Sequence, residues 1–190
     1  MMVEAGKLKW TSTLGEILGA EAPGLNAAFA AVTLEQLLSH TSGIPSDNDE
    51  IYALYFSGDG FQYNMPAQRL RLLNAWKAKP PATKPGSEFH YSNFGVTLAG
   101  AMIEKVTGAS WEELIVTRIF APLGLKTAGL GPQATTGRWD APVGHMVDDK
   151  GVATVMPWGP PADVPPVIGP AGVAHMSALD FARWAGWNAG

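Results

Sequence analysis

Hydrophobic and polar positions alternate with helical spacing along much of the chain. A Ser or Thr followed three residues later by Glu, Gln or Asp has the spacing of a capping box, which marks the start of many helices. This spacing occurs at Thr13, Thr33, Ser110 and Ser177. Apolar residues then recur with a helical period after the last three of these positions. The pattern therefore predicts helices that begin after Thr33, Ser110 and Ser177.

Two further helices are predicted without a capping box. One runs from Pro66 to about Ala78, where the apolar residues share one face, and the other runs from Phe94 to Val106. Gly108 follows the second helix closely and is a typical helix-ending residue. The first half of the chain is therefore expected to be mainly helical.

The pattern changes at Val143. Two short β-prone runs flank the turn-forming residues 148–151, which predicts one β-hairpin. Residues 157–170, PWGPPADVPPVIGP, contain too many prolines for a central strand or helix, so we expect a loop there.

Composition and charge narrow the class of protein. The chain has 190 residues, 46% of them hydrophobic, which suffices for the core of one domain. The absence of cysteine excludes disulfides, thiolate nucleophiles and cysteine metal sites. The net charge of -4 without a basic cluster argues against a nucleic-acid partner. No apolar stretch approaches the roughly 20 residues of a transmembrane helix, and the start lacks the layout of a signal peptide. The compartment therefore stays open.

Histidine and acidic residues show no spacing typical of a metal site. The four histidines lack paired ligand spacing. Residues 47–50 are acidic but lack the glycine and the later glutamate of a calcium-binding loop, so we interpret them as a solvated loop. We expect no metal or other cofactor.

Three residues are candidates for function. Tyr91 and Asn93 stand where a short extended piece meets the helix predicted from Phe94. A tyrosine at such a junction can point its phenol into a cleft and act as a base where positive charge favours the phenolate, and Asn93 can both donate and accept hydrogen bonds. The alternative is that Tyr91 packs on the core and Asn93 caps the helix. Trp158 either lines a substrate cleft or packs in the core.

Several segments resemble serine β-lactamases and penicillin-binding proteins, and they occur in the order found in that superfamily. Tyr91-Ser92-Asn93 resembles its Tyr-x-Asn motif. Residues 33–45, TLEQLLSHTSGIP, resemble a stretch of the class C β-lactamase and esterase branch, and residues 120–125 and 169–184 are similar to two later segments. The resemblance implies an α+β fold of the β-lactamase/transpeptidase type, of which this chain supplies mainly the helical domain and a short β-hairpin.

Two motifs of the superfamily are missing from the chain. No serine has a lysine three positions later, so the Ser-x-x-Lys motif of the nucleophile is absent. By resemblance it would lie just before residue 1, and the Lys-Thr-Gly or His-x-Gly strand would lie beyond residue 190. We therefore expect residues 1–190 to be a single incomplete domain, with residues 1–139 mainly helical, 140–176 a hairpin and proline-rich loop, and 177–190 a terminal helix.

The resemblance implies acyl transfer from an ester or amide such as a carboxyl ester, a β-lactam or a D-alanyl peptide. Tyr91 would be the general base, and Asn93 would contact the substrate and the motif lysine. We expect the chain by itself to be inactive, because it lacks the nucleophile. The alternative is a noncatalytic interaction module with the same fold, which would self-associate through an uncovered apolar face.

Overall fold

The computed structural model describes residues 1–57, 64–156 and 163–190. The α-helices in these ranges are α1 (Leu14–Leu18), α2 (Ala27–Ala30), α3 (Leu34–Leu38), α4 (Asp49–Phe56), α5 (Met65–Trp76), α6 (Asn93–Thr107), α7 (Trp111–Ile115), α8 (Gly169–Gly172) and α9 (Ala178–Ala189). A π-helical turn covers Val116–Phe120, and a 3-10 turn covers Pro166–Ile168. The strands are β1 (Gly129–Leu130), β2 (His145–Val147), β3 (Ala153–Val155) and β4 (Ala174–His175). They form two antiparallel two-stranded sheets, β1 with β4 and β2 with β3, so the described residues are mainly helical with small sheets.

Side-chain caps start the predicted helices. Thr33 forms a complete capping box with Gln36, and Ser110 and Ser177 each accept a hydrogen bond from the backbone N–H three residues later. The three predicted helix starts are therefore confirmed. Thr13 also forms a complete box, and α1 follows it. Helix α1 was not predicted, although its Leu14, Ile17 and Leu18 have the same spacing as the three leucines of α3.

The two helices predicted without capping boxes are present as α5 and α6. Gly108 ends α6 in the left-handed conformation, with a φ of 71°. In contrast, α4 begins at Asp49, inside the segment that we interpreted as a solvated loop. That interpretation is wrong for Asp49 and Glu50, because the Asn48 side chain accepts a hydrogen bond from the backbone N–H of Ile51 at 3.0 Å and caps the helix.

Helix α6 is central to the core. It packs against α1, α3, α5 and α8, and its Phe94, Leu98 and Met102 side chains are fully buried. Gly100 lets α8 approach α6 closely, because a Cβ atom at this position would lie 2.5 Å from Cγ of Pro170. This close packing fixes the direction of α6 and therefore the position of its N-terminus.

A buried ion-pair cluster joins α5, α6 and α7. The guanidinium of Arg69 is fully buried, forms ion pairs with Glu104 and Glu112, and donates to the backbone oxygen of Val167 at 3.0 Å. Burial raises the pKa of Glu104, and the neighbouring Arg69 opposes that rise. The cluster ties three helices to the 3-10 turn.

The predicted hairpin is confirmed. β2 and β3 pair in antiparallel register with His145 opposite Val155, and the Asp148 carboxylate accepts hydrogen bonds from the backbone N–H groups of Lys150 and Val152 in the turn. The loop predicted over residues 157–170 differs at its end, where residues 166–170 belong to helical turns. Proline is compatible with this because it fits the first turn of a helix. Residues 157–162, and with them Trp158, lie outside the described residues.

Candidate active site

The N-terminus of α6 presents Tyr91 and Asn93. Ser92 is the N-cap: its hydroxyl accepts a hydrogen bond from the backbone N–H of Gly95 at 3.2 Å, and Asn93 is the first helical residue. Tyr91 is 54% exposed. The alternative in which Tyr91 packs on the core and Asn93 caps the helix is therefore wrong, because Ser92 is the cap and the Asn93 side chain is free to bond elsewhere.

A chain of hydrogen bonds links four side chains at this site. The Tyr91 hydroxyl donates to Oδ1 of Asn93 at 3.1 Å, and Nδ2 of Asn93 donates to Oδ2 of Asp47 at 2.8 Å. The Tyr55 hydroxyl donates to Oδ1 of Asp47 at 2.9 Å. These hydrogen bonds therefore connect the exposed phenol of Tyr91 to the buried phenol of Tyr55, through the Asn93 amide and the Asp47 carboxylate.

Tyr55 always donates its hydrogen bond to Asp47. Its side chain is buried, and burial together with the negative charge of Asp47 raises the pKa of the phenol well above its ordinary value. The phenol therefore remains protonated at any physiological pH. One carboxylate oxygen of Asp47 is thereby held by Tyr55, and the other is left for Asn93.

The turn at residues 40–43 packs against the segment that carries Tyr91. His40 adopts a left-handed φ of 58°, and its Nδ1 accepts a hydrogen bond from the backbone N–H of Ser92 at 3.2 Å. Its ring lies 4.6 Å from the Tyr91 ring, measured between centroids. The backbone oxygen of His40 also accepts from the N–H of His90 at 2.7 Å. His40 therefore supports the backbone and the ring of the Tyr-x-Asn segment, which agrees with a structural role.

Gly43 completes this turn. It has a φ of 76°, and a Cβ atom at this position would lie 2.2 Å from the backbone oxygen of Thr83. Its own backbone oxygen accepts from the N–H of Ala82 at 2.8 Å. Only glycine fits such a conformation at such a close approach. The turn at residues 40–43 is thus attached to the segment that leads into Tyr91.

Within residues 1–57, 64–156 and 163–190, no Lys or Arg side chain bonds to Tyr91, Asn93 or Asp47. The hydroxyl of Tyr91 is hydrogen-bonded to the side-chain oxygen of Asn93 instead. The same ranges hold no group of three or more His, Asp or Glu side chains placed to bind a metal ion.

An apolar groove lies elsewhere on the molecule. Its volume is about 550 Å³, and its lining includes Trp10, Leu38, Trp184 and Trp187 but neither Tyr91 nor Asn93. Trp10 and Trp187 are 52% and 47% exposed. We call this feature the tryptophan groove. The candidate site lies apart from this groove, at the N-terminus of α6.

Sequence reasoning located Tyr91 and Asn93 but missed Asp47 and Tyr55. Asp47 was assigned to a solvated loop, yet it is half-buried and accepts two hydrogen bonds. Tyr55 had no signal other than its place in the apolar face of α4, which was not predicted as a helix. The one available hint was that Asp47 follows the His-Thr-Ser-Gly stretch by only a few residues.

Comparisons with known proteins give a consistent result. A family model described as Beta-lactamase matches residues 1–190. Penicillin-binding protein 4 of Amycolatopsis lactamdurans is 28% identical over 189 residues, which cover 97% of this chain and 45% of that protein. The solved structure of a penicillin-binding protein from Bacillus halodurans is 28% identical, with a TM-score of 0.69, over 99% of this chain and 52% of that one. The octameric penicillin-binding protein homologue from Pyrococcus abyssi is 27% identical, with a TM-score of 0.69, over 97% and 40% of the two chains.

The chain spans less than half the length of the curated relatives it matches, since it covers 45% of the first and 24% and 30% of the next two. In the described parts of the chain, no helix combines the length and the apolar character needed to cross a membrane.

Proposed function

Because this chain belongs to the Beta-lactamase family, among the serine β-lactamases and penicillin-binding proteins, we propose that it forms part of a hydrolase that transfers acyl groups through an acyl-enzyme. The resemblance drawn from the sequence segments and the expected α+β fold are confirmed by that membership. The activity of the whole protein is a proposal, since the chain covers only part of its relatives.

The hydrogen-bonded pair of Tyr91 and Asn93 carries the proposal. The Tyr91 phenol is exposed at the N-terminus of a helix that the core holds firmly, and Asn93 lies beside it at 3.1 Å. In the proposed reaction a serine outside this sequence attacks an ester or amide carbonyl, and Tyr91 as the general base accepts the proton of the serine hydroxyl. The proton passes to the leaving alcohol or amine, and water then releases the acyl group and regenerates the serine. Asn93 contacts the substrate and the motif lysine, whose positive charge would favour the Tyr91 phenolate. Trp158 remains a proposed substrate contact.

The proposed substrates are carboxyl esters, β-lactams or D-alanyl peptides. Residues 40–43 favour an ester-cleaving enzyme, because this His-Thr-Ser-Gly stretch resembles the class C β-lactamase and esterase branch. By itself the chain is proposed to be inactive, because no serine in it has a lysine three positions later.

The test compares the chain with a longer polypeptide that extends it upstream and downstream in the same reading frame. Both are assayed with p-nitrophenyl butyrate and nitrocefin. We expect turnover only by the longer polypeptide, with a loss of at least about a hundredfold in Tyr91→Phe, as is typical when a general base is removed. Tyr52→Phe is the matched control, because Tyr52 is also exposed and its hydroxyl makes no hydrogen bond within the described residues. Full activity in Tyr91→Phe, or no turnover at all, would refute the proposal.

Covalent labelling tests the proposed inactivity of the chain itself. A fluorophosphonate or a fluorescent penicillin should label the longer polypeptide stoichiometrically and leave the 190-residue chain unlabelled. Stoichiometric labelling of any residue in the shorter chain would show that it carries a nucleophile of its own.

The tryptophan groove favours a second candidate function, a noncatalytic module that self-associates. Exposed tryptophan side chains that line an apolar groove can form an interaction site. Sedimentation of the 190-residue chain would then show an oligomer that Trp187→Lys dissociates, while Val152→Lys, an exposed position on the hairpin, changes nothing. A monomer at all concentrations would eliminate this candidate.

A further inference from the structure

We propose that Asp47 is a positioning residue of the candidate site, which fixes the side-chain amide of Asn93 with its oxygen facing the Tyr91 hydroxyl. The inference rests on the proposed function for its catalytic meaning, and it concerns a residue that the Tyr-x-Asn motif does not contain.

The carboxylate of Asp47 decides which way the amide points. An ionised carboxylate accepts hydrogen bonds and cannot donate them. The Asn93 atom that lies 2.8 Å from Oδ2 of Asp47 must therefore be the nitrogen, since the reversed amide would bring two oxygens to that distance. The amide oxygen is left facing Tyr91, where it accepts from the hydroxyl at 3.1 Å.

Asp47 is itself held in place. The protonated phenol of Tyr55 donates to its other oxygen at 2.9 Å, and the buried side chain of Tyr55 has no room to move away. Hydrogen bonds to a charged acceptor are about twice as strong as those between neutral groups. The orientation of the Asn93 amide is therefore set by the half-buried Asp47, which the buried Tyr55 holds in place.

This orientation determines what Asn93 offers to a bound substrate. One N–H of the amide is used by Asp47, so one N–H remains for a carbonyl oxygen of the substrate. The amide oxygen can exchange the Tyr91 hydroxyl for an ammonium or amide N–H, which frees the phenol for proton transfer. Without Asp47 the amide could turn over, and its donor and acceptor would change places beside Tyr91.

The orientation is tested on the 190-residue chain by NMR of the asparagine side chains. The Nδ2 signals of Asn93 are those that disappear in Asn93→Ala. We expect their exchange with solvent to be about tenfold faster in Asp47→Ala than in the unaltered chain, the factor that corresponds to one hydrogen bond to a charged group. The matched control is Asp49→Ala, which removes a nearby exposed carboxylate that bonds to no described side chain.

A second variant keeps the test decisive if Asp47→Ala does not fold. Tyr55→Phe preserves the carboxylate but removes the donor that holds it, so we expect a smaller acceleration, about threefold, of the same Asn93 signals. Equal exchange rates in the unaltered chain and in whichever of these variants folds would overturn the proposed orientation, whatever the enzymatic activity.

The catalytic consequence is tested in the longer polypeptide. Asp47→Ala should lower kcat by about tenfold, because the amide that serves the reacting groups is no longer oriented, whereas Asp49→Ala should leave kcat unchanged. An unchanged kcat in Asp47→Ala would overturn the positioning role. If the longer polypeptide hydrolyses nothing while the NMR result holds, the proposed function fails and the Asp47–Asn93 orientation stands.

Discussion

Replacing Arg69 with methionine is expected to destabilise the protein by about 3–5 kcal/mol at neutral pH, the usual effect of removing one partner of a buried ion pair. The Arg69 side chain is fully buried and forms ion pairs with Glu104 and Glu112. It also donates to the backbone oxygens of Val167 at 3.0 Å and Pro166 at 3.4 Å. Methionine fills much of the same volume but satisfies none of these acceptors.

Most of the expected loss comes from Glu104. Burial already raises its pKa above the ordinary value of 4.5, and Arg69 opposes that rise. Without Arg69 the pKa rises further, which favours the protonated form of Glu104 in the folded state. Holding it protonated costs about 1.4 kcal/mol for each pH unit above 4.5, so the added cost at pH 7 is at most about 3.5 kcal/mol. The two backbone oxygens that lose a donor add about 1 kcal/mol each.

The sign of the pH dependence follows from the raised pKa. An acid whose pKa is raised by folding favours the folded state below its unfolded pKa, and that contribution is lost as the pH rises. The stability difference between Arg69→Met and the unaltered chain should therefore be smallest near pH 4.5, where only the loss at the two backbone oxygens remains, and should grow towards pH 7. The additional replacement Glu104→Met should recover much of the loss, because it removes the buried acid.

Urea unfolding followed by circular dichroism at pH 5 and pH 7 measures these differences. Arg138→Met is the matched control, because Arg138 is exposed and forms no ion pair within the described residues; we expect a change below about 0.5 kcal/mol. A loss in Arg69→Met that is below about 1 kcal/mol, or that is the same at both pH values, would refute the reasoning.

Two further predictions concern other parts of the fold. Gly43→Ala should lower the free energy of unfolding by at least about 2 kcal/mol, because the new Cβ atom would meet the backbone oxygen of Thr83. Gly24→Ala is the control, because Gly24 has a similar φ but open space around it, and the loss there should be only about 1 kcal/mol. Equal losses in thermal unfolding would contradict the steric argument. Asp180 accepts hydrogen bonds from the hydroxyl and the backbone N–H of Thr127, and these bonds, the hydroxyl's first, lower the pKa of Asp180 below 3.8. The stability that this contact contributes is therefore present above that pH and is lost as the pH falls. Circular dichroism during acid titration should therefore show a shallower loss of structure in Asp180→Asn, and an unchanged acid transition would count against this role.

Local signals in the sequence were sufficient for the longer elements. Helix α6 was predicted because fifteen residues show several turns of apolar spacing and Gly108 ends them. The hairpin was predicted because its turn residues are adjacent in sequence, and Asp148 does organise that turn. In both cases the information lies within the element itself.

Helices α2 and α4 were missed because packing forms them more than sequence pattern does. Helices α2 and α4 follow Asn26 and Asn48, whose side chains cap them, but asparagine is also common in turns. The buried residues Phe29, Ile51 and Tyr55 hold these helices in place through contacts with distant parts of the chain. Propensity alone cannot reveal a helix of this kind.

The candidate site shows the same division between local and distant information. Tyr91 and Asn93 are separated by one residue, so a motif can describe them. Asp47 lies 46 residues before Asn93, and the two meet only because residues 40–43 bond to the segment at residues 82–90, which continues into Tyr91. The left-handed His40 and the tightly fitted Gly43 make that connection possible. The His-Thr-Ser-Gly stretch is therefore best understood as the structural element that brings the carboxylate of Asp47 to the amide of Asn93, and its substitution should disturb the site without touching a reacting group.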